Sequence, residues 1–118
     1  MTRLADGQIQ STWKGGTPGH EKCWNIASNW SANSVPDEFT DVIIPMDNSF
    51  RENYPVIRQG KSEIHSIWIH KGAKINLSSK GDLMIYSYEY SLFERGQIVR
   101  DFHYASDLSA NTFSSRGQ

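Results

Sequence analysis

Around the middle of the chain, aliphatic side chains recur two residues apart: Ile67 and Ile69 flank Trp68, Ile75 and Leu77 flank Asn76, and Leu83 and Ile85 flank Met84. Such a pair lies on one face of an extended segment, and the residue between them lies on the other. The pairs start eight residues apart, with Lys71-Gly72 and Lys80-Gly81 in the intervals. This predicts strands at 64–69, 74–77 and 82–86, with Gly72 and Gly81 in turns where a side chain would clash. The pattern fits either a hairpin meander or the first circuits of a β-solenoid.

The same reading extends to both sides. Ser11-Thr12-Trp13 predicts a short first strand ending at Gly15-Gly16, and Thr40-Asp41-Val42-Ile43-Ile44-Pro45 predicts a strand closed by a proline that cannot donate to a ladder. Tyr54-Pro55-Val56-Ile57 restores extended chain after a turn at Asp47-Asn48-Ser49, and 98–102 can form one more strand. Residues 17–34 read as an ordered loop pinned by Trp24 and Trp30, and Pro36-Asp37 as a turn. No window carries the 3.6-residue period of an amphipathic helix. The expected core is Val42, Ile44, Ile57, Ile67, Ile69, Ile75, Leu77, Leu83 and Ile85. The expected organisation is a disordered segment at 1–10, one β module at 11–102 and a polar, frayed tail at 103–118.

Composition narrows the function classes. A chain of 118 residues makes one ordinary domain, and 37% apolar residues suits turns and short strands. The net charge of −1 supplies no field to gather nucleic acid, and no apolar run approaches a membrane span, so neither partner is expected. Cys23 is the only cysteine, which rules out an internal disulfide. The amino end lacks the apolar stretch of a secretory signal, which fits an intracellular protein or part of a longer chain.

In order, Trp13, Gly15, Trp24, Asn29-Trp30-Ser31, Val35-Pro36-Asp37, Thr40-Asp41-Val42-Ile43-Ile44-Pro45, Tyr54-Pro55-Val56-Ile57, Ile67, Ile69, Gly72-Ala73 and Ile75-Asn76-Leu77 form a longer pattern. It resembles the W-x-G, N-W, V-P, D-V-x-I-P, Y-P-x-I module of large secreted and cell-surface proteins of the Bacteroidetes, over residues 12–85. The resemblance implies an all-β, β-solenoid-like or β-helix-like stack of short strands, export to the cell surface, and neighbouring domains in a longer chain. This sequence departs from the module in having no export signal and in running from the repeats into 86–90 and a polar tail. With that architecture, Trp13, Trp24 and Trp30 are expected to cap the open amino-terminal end of the stack.

Candidate chemistry is sparse. Trp68 points away from the face of Ile67 and Ile69, and with Tyr86, Tyr88 and Tyr90 it is the candidate aromatic surface for a glycan or a surface protein. Asp37, Glu38 and Asp41 are calcium-type oxygen ligands, but no recognised calcium loop is present and the turn role explains Asp37. His20 and Cys23 are spaced H-x-x-C without a second pair, so no metal or other cofactor is expected. No nucleophile adjacent to a base is identifiable, and catalytic signature motifs are missing. The expected function is a non-catalytic scaffold or adhesion module at the cell surface. The alternatives are a carbohydrate-binding module and a fragment of a polysaccharide-active β-helix enzyme.

Overall fold

The computed structural model describes residues 9–47, 52–94 and 96–100. The disorder expected at 1–8, the strand end and tail expected at 101–118 and the turn expected at Asn48-Ser49 lie outside them. The fold is all-β, and the described residues form seven strands: β1 (Ile9–Thr12), β2 (Thr40–Ile44), β3 (Val56–Ile64), β4 (Ser66–Ile69), β5 (Lys74–Ile85), β6 (Leu92–Phe93) and β7 (Gln97–Arg100). The only helical pieces among the described residues are single 3-10 turns at Ala27–Asn29 and Tyr88–Tyr90. β1 begins at Ile9, two residues ahead of the expected module.

The strands form two sheets, in the orders β1-β2-β4-β6 and β3-β5-β7. Every ladder between them is parallel. Parallel neighbours cannot be joined by a tight hairpin and need a long crossover. Here the crossover is a strand of the other sheet: from β2 onward the chain visits the two sheets alternately. Asp41 accordingly pairs with Ser66, Trp68 with Leu92, Ile64 with Ile85 and Lys74 with Gln97.

The aliphatic pairs do not mark a repeating strand-and-turn unit. Ile75, Leu77, Leu83 and Ile85 all lie on β5, a single strand of twelve residues, and Lys80-Gly81 sits inside it rather than in a turn. Gly81 is paired with Gly60, beside a register shift of β3 against β5 between Ile57 and Gln59. A Cβ at Gly81 would overlap the Ile57 carbonyl, so this glycine permits close backbone approach. Gly72 does lie in a turn, between β4 and β5 with φ +82°. The expected strand at 64–69 is split: Ile64 ends β3, Ser66 begins β4 in the other sheet, and His65 alone makes the corner.

Like side chains stack over like in the core. Val42 lies in register with Ile67, and Ile44, Ile69 and Phe93 follow one another. Ile57 faces Leu77 in register, and Ile75 faces Ile98. All nine expected core residues are placed there, with Leu83 and Ile85 partly buried against the cluster. Each buried aliphatic side chain contributes about 1.5–3 kcal/mol of transfer free energy.

Trp13, Trp24 and Trp30 belong to the same cluster. Trp30 meets Trp13 and Trp24 edge-to-face at centroid distances of 5.0 and 4.8 Å. Their loop lies along the outer edge of β3: Val56 N donates to Lys22 O at 2.7 Å and Trp24 N to Val56 O at 3.3 Å. Asn29 holds the loop together from a fully buried position. Its Oδ1 accepts from Thr17 N and Thr17 Oγ1, and its Nδ2 donates to the carbonyls of His20 and Cys23. That satisfies both halves of the buried amide, which would otherwise be costly.

Candidate functional site

On the face of the four-stranded sheet away from the core, Thr12, Ile43, Trp68 and Leu92 form one register row. Trp68 is half-buried rather than open, because its ring stacks on His70 at a centroid distance of 4.5 Å and an interplanar angle of 26°. The tyrosines have different neighbours. Tyr86 donates its hydroxyl to Glu63 Oε1 at 3.2 Å, and Tyr88 lies against Phe93 at 5.6 Å. Partial desolvation and the Glu63 carboxylate push the Tyr86 hydroxyl above its ordinary pKa. Trp68, Tyr86 and Tyr88 thus each engage a different partner.

What the structure does gather is an exposed apolar run. Met84, Tyr86, Tyr88, Tyr90 and Leu92 are 42, 51, 62, 74 and 52% exposed. They run from the end of β5 through the second 3-10 turn into β6. Large apolar side chains this exposed and this close together are the usual mark of a contact surface.

The acidic candidates are not brought to one point. Asp37 Oδ1 accepts from Phe39 N at 2.9 Å and from Thr40 Oγ1 at 3.1 Å, which is the work of a turn residue. Glu38 is exposed. Asp41 points instead to the corner at His65. Among the described residues, no three His, Cys, Asp or Glu side chains converge as metal ligands would. Cys23 Sγ lies 3.9 Å from His20 Nδ1 and 3.5 Å from Arg58 Nη1, in an open groove of about 490 Å³.

The corner at His65 holds a cluster that the sequence reading missed. Backbone bonds run from His65 N to Thr40 O at 2.8 Å and from Ser87 N to His65 O at 2.7 Å, so Thr40, His65 and Ser87 follow one another from circuit to circuit. The His65 ring lies between two side chains of this corner: Nδ1 is 2.8 Å from Asp41 Oδ1, and Nε2 is 2.9 Å from Ser87 Oγ. Ser66 Oγ also donates to Asp41 Oδ1. The Asp41 side chain is 8% exposed and that of His65 28%. Asp41 Oδ2 is buried without a hydrogen-bond partner. A carboxylate only accepts, so Nδ1 donates its N–H to Asp41 and leaves Nε2 of a neutral ring as acceptor for the Ser87 hydroxyl. Such a cluster can tie three circuits together, and it can also draw the proton from Ser87.

No contiguous motif announces this cluster, because its members are separated by about one circuit each. The signal that would have found it is the circuit length, which aligns Thr40, His65 and Ser87. No protein-family model, curated protein or solved structure matches this chain.

Proposed function

We propose that the chain forms the first circuits of a β-solenoid, closed at its amino-terminal end by the tryptophan loop, and that it serves as a scaffold or adhesion module acting through surface contact. The exposed run from Met84 to Leu92 carries this reading, because it presents apolar side chains from a framework of paired strands. Support for the solenoid comes from the parallel ladders, the alternation of the chain between two sheets and the stacking of like residues. The lie of residues 22–24 along β3 is what a cap over the first circuit requires. The resemblance to the Bacteroidetes surface module argues for an extracellular or cell-surface setting. Among the described residues β6 and β7 are the outermost strands at the other end, where a neighbouring domain of a longer chain would stack.

The partner is a surface protein or a glycan, and the exposed tyrosine rings favour the glycan as a second reading, since the apolar face of a pyranose stacks on such rings. Titrating a glycan panel while following intrinsic fluorescence separates the two. A saturable change that is lost in Tyr88→Ser/Tyr90→Ser and in Trp68→Ala supports carbohydrate binding. Silence across the panel, with retention of the wild type but not the double variant on protein-coated surfaces, supports a protein partner. Equal retention of wild type and double variant on every surface contradicts the contact face. Release of sugar product would instead favour a fragment of a polysaccharide-active enzyme.

A further inference from the structure

We propose that Asp41, His65 and Ser87 form an acyl-transfer site in which the Ser87 hydroxyl attacks the carbonyl carbon of an ester. The orientation of the imidazole is the main argument. A histidine that activates a serine must offer one ring nitrogen to the hydroxyl and have the other held by a carboxylate. His65 does both, with Nε2 at 2.9 Å from Ser87 Oγ and Nδ1 at 2.8 Å from Asp41 Oδ1. The carboxylate is almost wholly withdrawn from solvent, so its charge is poorly screened when the ring becomes an imidazolium. Neither end of the relay depends on a long side chain, because Asp41 is on β2 and the backbone bonds at the corner fix His65 and Ser87 relative to Thr40.

The surroundings indicate the substrate class. Ser87 is flanked in sequence by Tyr86 and Tyr88, both more than half exposed, with Tyr90 at the end of the same turn. An ester whose alcohol or acyl part is an aromatic or sugar ring would find apolar rings beside the nucleophile. In the first step Ser87 Oγ bonds to the carbonyl carbon and its proton passes to His65 Nε2. The ester C–O bond then breaks, and His65 returns the proton to the departing alcohol. Water, deprotonated by His65, hydrolyses the acyl-serine and releases the acid, and the proton on His65 restores the serine hydroxyl. The Ser87 N–H is engaged with His65 O, so the nucleophile's own amide does not serve the oxyanion. The acceleration is therefore of the size general-base help provides, about 10²–10⁴-fold, and a covalent readout suits it better than turnover.

The full chain is treated with a fluorophosphonate, whose phosphorus is attacked by base-activated serines with loss of fluoride, and the adduct is located by intact mass and peptide mapping. The expected result is one adduct on Ser87, absent in Ser87→Ala and formed at least about tenfold more slowly in His65→Gln. Should His65→Gln fail to fold, p-nitrophenyl acetate on the wild type decides, the expected result being an acetyl group on the Ser87 peptide with release of nitrophenolate. The proposal is overturned if Ser87 of the folded wild type takes up neither group, with adducts confined to exposed tyrosines. Labelling of folded His65→Gln at the wild-type rate also overturns it. Either outcome would reduce the cluster to a structural corner and would leave the contact function standing.

Discussion

Single residues decide several features that composition leaves open. Asn29 uses every donor and acceptor of its side chain to join Thr17, His20 and Cys23, which is why a loop rich in Asn and Ser can hold Trp24 and Trp30 in place. Gly81 has the opposite role, since what matters there is a missing atom. Gly81→Ala is expected to drive a methyl group into the Ile57 carbonyl and destabilise the fold by about 3 kcal/mol, with exposed Ser79→Ala near neutral as control. Thermal denaturation checks this; a melting temperature for Gly81→Ala equal to that of the control would contradict the close approach of β5 to β3. The Lys-Gly pairs also show the limit of local reading. Lys71-Gly72 and Lys80-Gly81 look the same in sequence, yet one is a turn and the other lies mid-strand. A glycine marks that a side chain is excluded, and only the neighbouring strand shows whether torsion or contact excludes it.

At the scale of elements, β2 and β4 were legible, because aliphatic side chains two residues apart, Val42 and Ile44 or Ile67 and Ile69, are written within four or five residues. The length of β5 was not, since its middle residues 78–80 are polar and half-buried or exposed, and look like a loop. They are held as strand by pairing to β3, which local sequence does not carry. β5 is also tied to β7 on its far side, where Arg100 Nη2 lies 2.7 Å from Asp82 Oδ1. The hydrogen bond from Arg100, with that from the Leu83 amide, holds the Asp82 carboxyl below its ordinary pKa of 3.8. A carboxyl whose folded pKa is depressed adds stability above its unfolded pKa and loses it as pH falls through the folded one. The contribution is small, because both partners are more than half exposed and salt screens them. Asp82→Asn is therefore expected to melt slightly below wild type at about pH 6, with the gap closing as the pH falls below the ordinary 3.8 and through the depressed pKa. A gap that persists at the acid end would mean that the substitution acts through something other than charge.

Across the whole molecule, the organising quantity is the circuit that returns the chain to the same sheet. It places Ser66 beside Asp41 and Leu92 beside Trp68, and it brings Asp41, His65 and Ser87 to one corner. Sequence patterning found the core and the extended segments around β2 and β4 but not the length of this circuit, because parallel pairing joins residues about twenty or more positions apart with no local mark. The candidate site divided along the same line. The exposed tyrosines were readable from alternation after Ile85, whereas the Asp-His-Ser cluster exists only once the circuits are stacked. The contact face and the corner cluster both rest on this arrangement. The measurement that tests it most directly is the pattern of interstrand nuclear Overhauser effects between backbone amide and Hα protons. The expected result is parallel cross-peaks linking residues 41–44 to 66–69 and 74–77 to 97–100. Antiparallel cross-peaks linking 67–69 to 75–77, as a hairpin meander would give, would contradict the stacked circuits and both sites built on them.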